Sequence, residues 1–241
     1  MLSVSGVVGR GWELVKARPG AVMMLVVITM AAELIIAQMM APIEAPLEAF
    51  FADTLRVVPF LPLPELREVV AGAVAVMLLH PLTLVLTSYV AVGVTRGALD
   101  IVRGEPLRAE RLLKVKVLTW AQMVAMQFIL FIAFTAGYVM FFIPGLILTL
   151  GMTVAALVLV DEDTDAIQAM STSWGLMRGA KMHMFKINMC MSILCFGGLL
   201  LCVVGMIPVV MVWVLVPVIV YEELRQAQAP APTAPYPNIE S

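Results

Sequence analysis

Charge is what this chain lacks most. Only 13% of its 241 residues are Asp, Glu, Lys or Arg, about half of what a soluble domain carries. With 62% hydrophobic residues and a mean hydropathy of +1.01, no single soluble core could hide the apolar surface. Histidine is scarcer still, with only His80 and His183. There is accordingly no Ser-His-Asp or Cys-His arrangement and no zinc pattern, and metal-hydrolase chemistry is poorly supported. No phosphate loop is present. The three cysteines (Cys190, Cys195, Cys202) fall in one apolar run, which argues against a disulfide framework and makes them small apolar packing residues. The net charge of −2 says little about partners. No nucleic acid, cofactor or catalytic residue is expected.

What the chain has is long apolar runs, several reaching the ~20 residues that a hydrocarbon core demands of a helix. The expectation is an all-α, polytopic transmembrane bundle of six spans plus two interfacial amphipathic helices. Residues 1–225 form one membrane-embedded domain, and 226–241 a disordered tail rich in Pro and Ala. The spans are expected at 20–41, 69–93, 117–141 and 143–160, with the run 187–221 split into two at Gly205 and Pro208. The first run is longer than the ~7–15 residues of a signal-peptide core, so it is read as a retained span. Pro81 should kink span 2. The Pro-rich stretch 42–68 is expected as an extramembrane loop, with Leu47, Phe50, Phe51 and Leu55 on a short helix.

The interfacial helices are expected at 3–18, with Val4, Val8, Trp12 and Val15 on one face, and at 166–186, with Ile167, Met170, Trp174, Met177 and Met184 on one face. Thirteen of the fifteen basic residues fall on one side of this arrangement, leaving only Arg56 and Arg67 on the other. By the positive-inside rule both termini are cytoplasmic. Trp12-x-Leu14-x-Lys16 and Trp174-x-Leu176-x-Arg178 echo each other before two spans, a pattern that a diverged repeat would leave.

The combination Ile143-Pro144-Gly145, an apolar span, Asp161-Glu162, then Ser173-Trp174-x-Leu176-x-Arg178-Gly179 resembles a group of bacterial six-span membrane proteins. That group includes the membrane domain attached to some glycerophosphoryl diester phosphodiesterases, and related uncharacterised inner-membrane proteins. Ala98-Leu99-Asp100 and Arg103-Gly104-Glu105-Pro106 are similar to the group's segment after its second span. The resemblance implies a fold and a compartment, the bacterial inner membrane. The phosphodiesterase chemistry belongs to a separate soluble domain, which this sequence does not contain, so it is not carried over.

Candidate sites compete with structural readings. Glu33 in span 1 and His80 in span 2 lie ~20 Å from the cytoplasmic side and ~16 Å from the outer side of a ~30 Å core, within about a turn in depth. They are a candidate functional pair or a structural hydrogen bond. Gln122, Gln127 and Asn188 read as amides that hold helices together. Met184, Met191 and Cys195 share a helix face and carry soft donors that suit Cu(I), against the plainer reading of apolar filler. Asp161, Glu162, Asp163 and Asp165 read as helix-terminal carboxylates rather than a calcium loop. Gly93-x-x-x-Gly97 is a close-packing candidate.

Trp12 and the six basic residues of 94–116 (Arg96, Arg103, Arg108, Arg111, Lys114, Lys116) are candidate contacts to anionic headgroups or a partner. The bilayer is the expected partner, together with a protein partner or a second copy. The leading expectation is a non-enzymatic accessory or scaffold module in envelope or lipid processes. A small transporter with Glu33 and His80 near its pathway is the alternative.

Overall fold

A computed structural model describes residues 3–54, 64–140, 142–200 and 206–228. In chain order the helices are α1 (Val4–Ala17), α2 (Pro19–Thr54), α3 (Pro64–Val102), α4 (Ala109–Leu113) and α5 (Val117–Met140). They continue with α6 (Phe142–Gly151), α7 (Ala155–Glu162), α8 (Ala166–Leu176), α9 (Lys181–Leu200) and α10 (Met206–Gln228). No strand occurs among the described residues.

Five stretches are long and apolar enough to cross a membrane. These are α2, Met77–Val102 of α3, Val117–Tyr138 of α5, Phe142–Glu162 across α6 and α7, and α10. The set is compatible with a multi-pass membrane protein. In the most apolar windows of α2, α3 and α5 only 17% of residues are buried. Met30, Leu34 and Ile35 are each at least 60% exposed, which suits a helix whose outer face meets lipid rather than water. α9 is not among the five, and Gly205, where the last run was expected to divide, lies outside the described residues.

Helix ends follow local chemistry. Ser3 caps α1, its hydroxyl accepting the Gly6 N–H at 3.1 Å. Pro19 opens α2 at a position where its missing N–H costs nothing. α1 packs on α10 through Val7, Gly11 and Val15, a stripe offset from the expected one. A Cβ on Gly11 would lie 2.9 Å from Val212, so the glycine sets the closest approach. Trp12 points outward, with the Lys16 ammonium 5.3 Å over its ring.

Three expectations need correction. The stretch after Ala41 is no loop up to Thr54, because α2 continues through Pro42 and Pro46. The two prolines stand one turn apart on an exposed face, where an interrupted ladder is least costly. At 36 residues α2 is ~54 Å long, so its acidic end overreaches a ~30 Å hydrocarbon core while remaining helical. Leu55 and the rest of the expected loop up to residue 63 lie outside the described residues.

α3 likewise runs past Gly93 to Val102. Ala98, Leu99 and Ile101 are buried between its polar positions, which gives that end an amphipathic pattern and a reason to stay helical.

α8 packs back along the bundle. The Ser173 hydroxyl donates to the Gly151 carbonyl at 2.9 Å, ten residues before Asp161, so α8 folds back beside α7. Its buried positions are Ala166, Ala169, Ser173 and Leu176, whereas Ile167 is 73% exposed. The expected helix over 166–186 ends at Leu176, and Gly179 at φ +78° supplies the turn into α9. α10 extends to Gln228, so Gln226, Ala227 and Gln228 of the expected tail are helical, and residues 229–241 lie outside the described ones.

Gly93 sits under α4. A Cβ there would lie 2.5 Å from the Leu112 carbonyl oxygen, a backbone atom that cannot swing aside. Gly93→Ala is expected to cost about 1–3 kcal/mol, read as a lower unfolding temperature in detergent. Gly9→Ala, which meets open space, should leave that temperature unchanged or raise it.

Candidate functional site

The carboxylate of Asp161, at the last turn of α7, is the meeting point of three helix ends. Arg103, just past α3, grips it with both terminal nitrogens at 2.6 and 2.8 Å. The Tyr221 hydroxyl of α10 donates to it at 2.9 Å, and Arg225 one turn later donates to the same oxygen. The Arg103 Nε reaches Glu222 at 2.7 Å. The bonds that Arg103 donates hold its guanidinium firmly protonated, its pKa raised first by those to Asp161. The Asp161 side chain is only 9% exposed, so the donors stand in for lost water.

Other polar links join the same end of the bundle. The Arg18 guanidinium caps the end of α3 by donating to the carbonyls of Gly104 and Glu105, at 2.5 and 2.7 Å. Arg111 pairs with Glu105 at 2.9 Å and reaches Asp100 at 3.4 Å. Arg10 of α1 lies 3.7 Å from Glu223 of α10. Asp163 takes a left-handed conformation at φ 51° and accepts from Lys116 at 2.5 Å and Thr119 at 2.8 Å. Those two bonds hold its carboxyl below the usual range. Six of the basic residues that the sequence assigned to one side (Arg10, Arg18, Arg103, Arg111, Lys116 and Arg225) are thus gathered from α1, α4, α10 and the ends of neighbouring helices, whereas Lys181 lies over Trp174 beside Gly151.

Between the ends of α3, α4 and α7 lies a cavity of about 440 Å³. Arg96, Arg103, Arg108, Arg111 and Lys114 line it, with Asp100, Glu110 and Asp161 as the acidic members. Five of the six basic residues of 94–116 therefore face one space, and Lys116 stands apart on Asp163. Two of the five guanidinium or ammonium groups have no carboxylate partner among the described residues. The Arg96 side chain donates only to the Lys114 carbonyl at 3.0 Å, and the Arg108 side chain has no hydrogen bond or ion pair, both among the described residues. The Asp100 Oδ2 is buried with no partner among the described residues. The cavity thus holds two guanidinium groups with no carboxylate in hydrogen-bond or ion-pair contact among the described residues, and beside it lies one buried carboxylate oxygen without a partner among them.

The remaining candidates scatter. Glu33 is exposed on α2 and has no hydrogen bond or ion pair among the described residues. His80 is half-buried on α3, its ring 4.5 Å from that of Phe131, and no bond joins it to Glu33. It lines a mostly apolar cavity of about 530 Å³ with Gln127, whose buried Oε1 also lacks a partner among the described residues.

Ile143 is exposed, and Pro144 lies in the first turn of α6. Gly145 lets α6 approach α5, since a Cβ on Gly137 would lie 3.1 Å from the Gly145 Cα. Glu162 is 3.8 Å from Arg225. Trp174 lies against Gly151 with the Lys181 ammonium 2.9 Å over its ring, and so packs inward. Asp165 caps α8 through the Gln168 N–H at 2.8 Å, and Gln122 accepts the Ala166 N–H at 3.0 Å. Tyr221 and Glu222 are the members that sequence reasoning missed. Their i, i+1, i+4 spacing with Arg225 at the foot of an apolar run is the signal that could have found them.

No protein-family model, curated protein or solved structure matches the chain.

Asp163→Asn isolates a charge, because Asn tolerates the same left-handed conformation. The folded carboxyl titrates below its unfolded value, so its stabilising effect is complete above the unfolded pKa of about 3.9. That effect is lost as the pH falls through the lowered folded value. The wild type should unfold at a higher temperature than the variant at pH 7. The two should converge as the pH is taken below about 4.

Proposed function

We propose that this chain is a six-span protein of the bacterial inner membrane with both termini cytoplasmic. In this reading it has no catalytic role and acts as an accessory or scaffold module in envelope or lipid processes. Its cytoplasmic-side cavity holds the phosphate of a lipid headgroup. The observation that supports this best is that Arg96 and Arg108, neither hydrogen-bonded nor ion-paired to a carboxylate among the described residues, line one basic cavity. That cavity borders helices apolar enough to place its mouth near the headgroup layer. Guanidinium groups match phosphate oxygens in geometry and charge. The basic residues gathered beside Asp161, among them Arg10, Arg18, Arg103, Arg111 and Arg225, favour the cytoplasmic leaflet, whose anionic lipids attract such clusters. The resemblance to the six-span group around the phosphodiesterase membrane domains agrees with the compartment.

The transporter alternative draws on the cavity beside His80 and Gln127. It lacks a partner for Glu33 among the described residues, and ranks second.

The test is native mass spectrometry of the full chain from mild detergent, with phospholipid added at fixed ratio. Arg96→Gln combined with Arg108→Gln should retain at least about tenfold less phospholipid than the wild type. Raised salt should weaken what remains. Equal retention by the variant and the wild type would sink the reading.

A further inference from the structure

Beside the seam where Val7, Gly11 and Val15 seat α1 on the bundle lie two apolar hollows. They share Val8 and Trp12 as a common wall. The first, of about 300 Å³, is bounded further by Met191 and Leu194 of α9 and by Pro208 and Val212 of α10. The second, of about 660 Å³, lies between Val4 and Gly9 of α1 and Cys190 of α9. Apart from the Trp12 indole, no side chain lining the first hollow carries an N–H or O–H. Ser5 supplies the one hydroxyl in the second. Water needs about two to four polar partners to settle in such a space, so the hollows favour an apolar occupant. α10 is long and apolar enough to cross a membrane, which brings hydrocarbon chains alongside them.

The exposed Lys16 ammonium stands over the shared wall, 5.3 Å from the centre of the Trp12 ring. It makes no ion pair among the described residues, not even with Glu13, whose i, i+3 spacing allows one. Arg10, the other cation of α1, is turned towards Glu223 at 3.7 Å. Apolar hollows with one uncommitted cation at their rim complement a molecule with hydrocarbon chains and a negative head. From this juxtaposition we infer that α1, α9 and α10 hold an anionic phospholipid. Its acyl chains lie in the two hollows that Trp12 divides, and its phosphate meets the Lys16 ammonium. An indole at headgroup depth and a lysine reaching past it towards water suit that placement. A protein lying on this face would have to desolvate Lys16 and bring a carboxylate to pair with it. None of these residues lines the basic cavity, so the two readings stand or fall separately.

The experiment reconstitutes the full chain in phosphatidylcholine vesicles with a trace of photoreactive lipid. The probe is phosphatidylglycerol or phosphatidylcholine with a diazirine in one acyl chain, and adducts are mapped by peptide mass spectrometry. Met30, Leu34 and Ile35 of α2, which face outward, give the yield of ordinary lipid contact. Residues 8–12 and 190–194 should be labelled more densely than α2. They should take about fivefold more phosphatidylglycerol than phosphatidylcholine probe, the scale set by one lysine at an anionic surface. Lys16→Gln should remove that preference. A Cβ on Gly9 meets open space, so Gly9→Leu fills the second hollow without a clash. Labelling there should fall for both probes, with no drop in unfolding temperature.

Labelling no denser than on α2 would overturn the site, and so would a preference that survives Lys16→Gln. Labelling that disappears as the protein-to-lipid ratio is raised would assign the face to a second copy of the chain and overturn it likewise. Arg96→Gln combined with Arg108→Gln separates this site from the basic cavity. The labelling of 8–12 and 190–194 should be unchanged in that variant, and a fall would show that the preference belongs to the cavity instead.

Discussion

The structure depends on the burial of one carboxylate. Asp161 ends an α7 whose residues 157–160 are all buried, so the helix delivers a negative charge to the edge of an apolar core. Leaving it unpaired there would cost several kcal/mol. Arg103, Arg225 and Tyr221 converge on it instead, from the ends of two other helices. The same bonds fix where α3 and α10 stop relative to α7, and Arg103 in that position closes one wall of the basic cavity. The arginines at this end therefore divide into two sets. Arg103 and Arg225 are consumed by the Asp161 carboxylate, while Arg96 and Arg108 remain available.

Where helices meet without such polar links the packing obeys a different rule. Large apolar side chains on α2, α3 and α5 face outward, and glycines and other small residues mark the closest approaches. Gly11 meets α10, Gly93 meets α4, Gly137 meets Gly145, and Gly151 receives the Trp174 ring. This is the pattern expected when lipid, which is as apolar as leucine, gives no hydrophobic reason to bury large side chains between helices. Close backbone contact and scattered hydrogen bonds, such as Ser173 to Gly151 and Trp120 to the Val85 carbonyl, supply the specificity.

That rule explains which parts of the fold were legible in the residues. The limits of α1 and α5 were, because Ser3, Pro19 and the basic segment ending at Lys116 mark them locally. The extent of α2 was not, because composition treats Pro42 and Pro46 as breakers when their spacing of one turn lets an exposed helix absorb them. α8 misled in a more instructive way. Of the large residues assigned to one face over 166–186, Met177 and Met184 are buried but Ile167 points outward, and within α8 the small Ala169 and Ser173 are buried beside Leu176. The basic residues of 94–116 were legible as a group. That Arg96 and Arg108 would stay unpaired while Asp100 kept an orphaned oxygen depends on long-range contacts that no local pattern encodes.

The most direct measurement is Asp161→Ala, followed together by thermal unfolding in detergent and by phospholipid retention in native mass spectrometry. Losing the shared acceptor leaves Arg103 and Arg225 without their partner, and the account predicts a loss of about 2–3 kcal/mol. Retained phospholipid should fall with it as the cavity wall relaxes. A variant that unfolds with the wild type and carries the same lipid would contradict the account, because neither the helix ends nor the cavity would then depend on that carboxylate.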